Sequence, residues 1–243
     1  MGKLDDKVAL VTGASRTIGK AIAIALAQEG ARLVVAARTP ETLNNTAEQI
    51  RESGSEALVI PTDVRSEEEI ENLFKKTMEH NGRLDILVNN AGIFASAPFD
   101  KFPTESWDDV ITTNLRAAFL CSRAAFRIMK AQGGGRIIII GSVSASRVRP
   151  ETVSYNSAKF GLVGLTHTIA LEGRDHNITC GILHPGVVIR DDMPEHFKKD
   201  KSIASMSSEE VAATAVFMAC QPPHVNILEL VQLPKDQPYL GRG

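Results

Sequence analysis

Seven short apolar runs alternate with longer stretches of helical period along most of the chain. Residues 8–11, 32–37, 57–60, 84–88, 136–141, 178–183 and 225–230 read as strands. Helical spacing covers 18–28, 41–53, 66–80, 107–132, 154–175 and 207–220. The punctuation agrees with these bounds. Gly30 and Gly54 close the first two helices, and Gly133, Gly134 and Gly135 close the fourth. Ser207 and Glu210 form a capping-box signature, and Pro222 with Pro223 stops the last helix. Regular alternation of this kind predicts one α/β domain. Its core is a doubly wound parallel sheet of about seven strands with helices on both faces. The polar stretch 187–206 reads as a short lid, and the tail from Pro234 shows no pattern.

Composition narrows the class. The chain has 243 residues, 43% of them hydrophobic, enough for one sizeable core. A formal net charge of -2 argues against a nucleic-acid surface. No run approaches the ~20 apolar residues of a membrane span, and the first six residues carry no signal-like apolar core. Cys121, Cys180 and Cys220 are scattered, and the six histidines show no close ligand spacing. Neither a disulfide nor a metal site is expected. The expectation is a cytoplasmic protein that acts on a small molecule.

The candidate chemistry gathers between Ser142 and Lys159. Tyr155 and Lys159 stand four residues apart and share a helix face. Ser142 follows the strand at 136–141. A phenol is a weak base at neutral pH unless a nearby cation favours its phenolate. A hydroxyl, a phenol and an ammonium converging on one site suit proton exchange with a carbinol or carbonyl oxygen. Taken alone, the pair also describes an ordinary helix start. Asn114 interrupts the long fourth helix, mildly against its propensity. It reads as a kink, as a holder of a relay water, or as a helix–helix contact.

A second cluster points to a dinucleotide. Thr12 to Gly19, TGASRTIG, lies between the first strand and the first helix. Backbone N–H groups and the positive helix end meet phosphate in such a turn, although any strand–helix connection occupies the same place. The second strand ends at Arg38 and not at the carboxylate that accepts from an unphosphorylated ribose. Arg38 and Arg16 suit a 2′-phosphate, hence NADP(H) over NAD(H), unless both are solvated surface charges. Asp63, followed by Val64 at the end of the third strand, is placed to accept from an adenine amine or to cap the next helix. Asn89-Asn90-Ala91-Gly92 allow close approach to a cofactor. His184-Pro185-Gly186 reads as a rigid turn where a nicotinamide would lie.

Thr12-Gly13 with Gly19, Asn89-Asn90-Ala91-Gly92, Asn114, Ser142, Tyr155-x-x-x-Lys159 and Pro185-Gly186 follow one another in a telling order and spacing. In these residues the chain resembles the short-chain dehydrogenase/reductase family over roughly residues 5–230. The resemblance implies a Rossmann-like sheet and an oxidoreductase acting on a carbonyl or secondary alcohol. It implies that Tyr155 exchanges the proton, Lys159 bonds the nicotinamide ribose and favours the phenolate, Ser142 orients the substrate oxygen, and Asn114 holds a relay water. Gly13, Ser15, Ile18 and Gly19 would line the pyrophosphate, Asn90 would lie near the ribose, and the Val188 backbone near the carboxamide. A homodimer or homotetramer, packed through 107–132 and 154–175, is also implied.

Three features depart from the family pattern. Thr17 stands where a glycine is usual, so its Cβ crowds the pyrophosphate or demands a strained φ, or its hydroxyl bonds a phosphate. Arg190 replaces a threonine, and the Gly-rich ending after the last strand is missing. Arg147 and Arg149, between Ser142 and Tyr155, are candidates for a substrate carboxylate, or else are solvated or bridge subunits. Two other functions stay open: a non-catalytic NADP-binding or interaction protein, and an isomerase or lyase using the same residues. Stoichiometric NADPH consumption separates a reductase from both.

Overall fold

The computed structural model describes residues 2–189, 193 and 204–238. β1 (Val8–Thr12) is buried at every position, so it can only sit inside a sheet covered on both faces. It pairs in parallel with β2 (Arg32–Ala37) on one side and β4 (Ile86–Asn89) on the other. β3 (Ala57–Pro61) flanks β2, while β5 (Gly135–Ile140), β6 (Ile178–Pro185) and β7 (Glu229–Gln232) extend beyond β4. The order is β3-β2-β1-β4-β5-β6-β7, parallel throughout.

Alternate strand residues feed two cores. One joins Val11 and Val35 to Leu26 of α1 (Thr17–Gln28), Ile50 of α2 (Pro40–Glu52) and Met218 of α7 (Ser208–Ala219). The other joins Leu10 and Ile137 to Leu73 of α3 (Glu67–Asn81), Leu120 of α5 (Ala117–Gln132) and Leu162 of α6 (Val153–Gly173). Each such side chain contributes roughly 1.5–3 kcal/mol on burial. The chain order reverses between β1 and β4, and this opens a crevice beyond their C-terminal ends.

Several elements differ from expectation, each for a local reason. The helix expected over 107–132 consists of α4 (Thr104–Ile111), a π-helical turn at Thr112–Arg116, and α5. Asn114 lies in that π turn. β7 lies at Glu229–Gln232, not at 225–230. Polar groups in the stretch before it are used elsewhere. Arg136 Nη2 donates to the carbonyls of Gln221, Pro222 and Val225 at 3.1, 3.1 and 3.2 Å, and Asn226 Nδ2 donates to Cys180 O at 2.8 Å.

His184 and Pro185, expected in a turn, instead complete β6 opposite Val231 and Gln232. Ser66, not Asp63, caps α3, accepting Glu69 N at 3.2 Å. The tail expected to lack structure turns at Pro234, and Gln237 Oε1 accepts Val187 N at 2.7 Å. Most of the expected lid, with Arg190, lies outside the described residues. At its two ends Val188 and Met206 form an isolated parallel bridge. No helix among the described residues is long and apolar enough to cross a membrane.

Arg136 is 8% exposed, and burial pulls its pKa below the ordinary arginine value. Arg136→Ala leaves three carbonyls without their donor and an unfilled space. The expected loss is about 3 kcal/mol, read as a melting temperature lower by roughly 6–12 °C. A shift under about 2 °C would show that this cluster does not anchor the approach to β7.

Candidate active site

The base of the crevice is closed by Thr12 and Asn90. Thr12 Oγ1 donates to Val88 O at 3.3 Å and accepts from Asn90 N and Ala91 N at 3.1 and 3.2 Å. Asn90 Nδ2 donates to the carbonyls of Thr12 and Gly13 at 3.0 and 3.1 Å. The amide expected beside a ribose therefore anchors the glycine turn. Gly13 has φ +65°, and a Cβ there would stand 2.9 Å from both Ala91 Cα and Asn90 Nδ2. A Cβ on Gly19 would also collide with the Asn90 amide. Only glycine lets the turn close this tightly on β4. α1 starts at once, and no side chain caps its first turn, which leaves leading N–H groups for an anion. Thr17 has φ +47°, so the strained φ is present.

Arg16 and Arg38 are both exposed at this end. Asp63 is gripped by Arg65, whose Nε lies 3.1 and 3.0 Å from the two carboxylate oxygens and whose Nη2 lies 2.7 Å from Oδ2. Those hydrogen bonds, with a smaller contribution from the Arg38 charge, hold the Asp63 carboxyl below the usual carboxylate range. Its oxygens are thus already engaged at the place where an adenine acceptor is expected. Val64 is buried beside it.

β5 delivers Ser142, and α6 delivers Tyr155 and Lys159. Ser142 Oγ accepts from Ser144 N at 3.1 Å, capping a 3₁₀ turn at Val143–Ala145. Its hydroxyl proton remains available to an acceptor. Lys159 is 6% exposed and donates from Nζ to Ile140 O at 2.8 Å. The same Nζ lies 5.4 Å from the centroid of the Tyr155 ring. Phe94 meets Tyr155 edge-on, with centroids 5.3 Å apart at 65°. Nothing in the sequence marks Phe94 as that partner, because the contact joins the 90–94 segment to a helix far along the chain.

Asn114 is buried, and its amide bonds one residue twice: Oδ1 accepts Ile93 N at 2.8 Å and Nδ2 donates to Ile93 O at 2.9 Å. Of the readings open for Asn114, the helix distortion is present as the π turn, and the side chain ties that turn to the segment after β4. Beside it a cavity of about 10 Å³ touches Thr12, Asn89, Thr113, Asn114 and Ile140. That is about the least space that admits one water.

Thr152 Oγ1 and Asn156 Nδ2 both donate to Arg149 O, at 2.9 and 3.1 Å, and shape the loop that leaves Arg147 and Arg149 exposed. Gly186 N donates to Gln232 O at 2.8 Å, and a Cβ on Gly186 would collide with the Gln237 amide. Gln237 is thus a tail residue at the site that the sequence pattern does not announce. Among the described residues no His, Cys, Asp and Glu cluster could hold a metal ion.

A parallel sheet with a glycine turn at its switch point, and with Ser, Tyr and Lys gathered where β5 meets α6, is a dehydrogenase architecture. The chain belongs to the short chain dehydrogenase family, whose sequence model matches residues 7–202. It is 37% identical over 229 residues to the 3-oxoacyl-[acyl-carrier-protein] reductase of Synechocystis sp., covering 91% of this chain and 92% of that protein. A metagenomic short-chain oxidoreductase in complex with NADP superposes with a TM-score of 0.86 at 30% identity, over 97% of this chain and 100% of that one. Actinorhodin polyketide ketoreductase with NADPH gives 0.87 at 32% identity, over 96% and 98%. The protein is an oxidoreductase of this family.

Thr17→Gly would remove a β-branched residue from the left-handed region, worth about 1 kcal/mol. The melting temperature should rise by roughly 2–4 °C. An unchanged or lower value would mean that contacts of the threonine side chain offset its backbone strain.

Proposed function

We propose that the protein is an NADP(H)-dependent carbonyl reductase or alcohol dehydrogenase, a single catalytic domain with Tyr155 as its acid/base. The observation that carries this reading is buried Lys159, which bonds Ile140 O two residues before Ser142 and stands 5.4 Å from the centre of the Tyr155 ring. The glycine turn closed on Asn90 and the uncapped start of α1 fit a pyrophosphate. Gly13, Ser15, Ile18 and Gly19 would hold it. Arg16 and Arg38 would hold a 2′-phosphate, and Asp63 and Val64 would border the adenine. Asn90, Tyr155 and Lys159 would face the nicotinamide ribose, and Pro185, Gly186 and Val188 the nicotinamide end. When bound, the cofactor supplies or accepts the hydride.

The chain's own groups handle the oxygen. In reduction, the Tyr155 hydroxyl gives its proton to the carbonyl oxygen as negative charge develops there. The Ser142 hydroxyl donates to the same oxygen, while its own oxygen takes the Ser144 N–H. The Lys159 ammonium, 5.4 Å from the ring centre, favours the phenolate that results. A relay water held by Asn114 would return the proton. Because the Asn114 amide is committed to Ile93, that water falls to its main chain. Arg147 and Arg149 at the rim suit a substrate with an acidic group, and the 3-oxoacyl reductase relative supports a 3-oxo acid or thioester. A homodimer or homotetramer through α5 and α6 is supported by the half-exposed rings of Phe119 and Phe160 on those helices.

Assays with acetoacetate, its thioester and a neutral ketone, following NADPH consumption, test the reading. Tyr155→Phe should lower kcat by about 10²–10⁴-fold while NADPH binding changes little. Retained turnover would remove Tyr155 from the proton step. Arg38→Asp should cut the NADPH:NADH ratio of kcat/KM by roughly 10- to 100-fold. An unchanged ratio would reject the 2′-phosphate assignment.

A further inference from the structure

Against the Gly141–Ser142 peptide lies a buried imidazole for which the reaction above has no task. His184 is 4% exposed, and a Cβ on Gly141 would stand 2.6 Å from its Nδ1, so the ring packs directly on that peptide. The β5–β6 ladder ends with Gly141 N donating to Leu183 O at 2.7 Å. Ser142 is therefore the first residue that something other than the sheet must hold.

Nδ1 of His184 lies 3.3 Å from Ser142 N and 2.9 Å from Ser142 O. An imidazole nitrogen either accepts or donates, and cannot do both. Ser142 O already accepts from Ala145 N at 2.9 Å. Ser142 N–H has no acceptor among the described residues other than Nδ1. A buried N–H left unpaired is costly, so Nδ1 accepts and the ring proton sits on Nε2.

The far side of the ring agrees. Nε2 faces Glu229 Oε2 at 3.8 Å, too long for a hydrogen bond, yet attractive for an N–H and repulsive for a lone pair. Glu229 is itself placed by His167 Nε2, 2.6 Å from its other oxygen. Burial is the largest influence and disfavours the imidazolium; the Ser142 backbone and the Glu229 charge from β7 favour it less strongly, and the Lys159 charge from α6 adds to the effect of burial.

We propose that His184, with its Nε2–H turned towards the Glu229 carboxylate, is a positioning residue that accepts the Ser142 backbone N–H at Nδ1 and so sets where the Ser142 hydroxyl points. The catalytic consequence rests on the reductase reading, whereas the tautomer does not.

Nitrogen NMR of the full-length protein labelled at histidine tests the tautomer near neutral pH. The expected spectrum shows His184 Nε2 protonated and Nδ1 as the bare acceptor. A protonated Nδ1 overturns the proposal. In assays with acetoacetyl thioester, His184→Leu should lower kcat about tenfold or more, with NADPH binding within about twofold of the parent. His184→Asn, whose side-chain oxygen can stand near the Nδ1 position, should recover most of that loss. An undiminished kcat in His184→Leu, or an equal loss in His184→Asn, overturns the positioning role. If His184→Leu fails to fold, the spectrum of the parent protein decides. An inactive parent rejects the reductase reading and leaves the tautomer to be judged on its own spectrum.

Discussion

One threonine hydroxyl and one asparagine amide hold the two halves of the sheet together where the chain reverses its order. Thr12 bonds Val88, Asn90 and Ala91 of the β4 strand and its exit, and Asn90 returns two bonds to the carbonyls of Thr12 and Gly13. Parallel pairing of β1 with β4 brings these ends to the same level, Val11 opposite Val88. Backbone groups that leave two adjacent parallel strands together lose their ladder partners together. Here they find new ones across the gap instead of in water. The glycines follow from that closeness, since Gly13 and Gly19 sit where a methyl group would strike Asn90.

From this seam outward, irregular backbone collects around the crevice. Thr17 occupies a left-handed conformation at the start of α1, and Asn114 sits in a π turn that splits what would be one long helix. Both go against local preference, and tertiary bonds keep the second in place, because Ile93 takes both ends of the Asn114 amide. Such departures cluster where side chains must be aimed and not merely packed. Lys159 is buried, bonds the Ile140 carbonyl, and still lies close to the Tyr155 ring.

Behind Ser142 and Lys159 lies a layer that family membership alone does not describe. His184, Glu229 and His167 run from the Ser142 backbone to the surface of α6. Arg136 ties β5 to the chain just before β7, and Gln237 brings the tail back over Gly186. Phe94, edge-on to Tyr155, is exposed, as are Arg147, Val148 and Arg149 in the loop before α6.

What the sequence alone determined is what near neighbours decide. Apolar runs mark strands buried on both faces, helical spacing marks the layers above and below, and a four-residue step puts Tyr155 and Lys159 on one face of α6. The glycine turn was legible for the same reason, and a strained φ at Thr17 stood among the alternatives, since backbone limits act within a residue or two. The position of β7 was not, because 225–230 is as apolar as a strand, and Arg136, more than eighty residues away, takes carbonyls in the chain leading to it. Nor could the sequence show that Asn90 holds the glycine turn, that Phe94 meets Tyr155, or that His184 sits against Ser142. A side chain's hydrogen-bonding capacity is written in its identity, but its partner is chosen only when the sheet brings distant strand ends together.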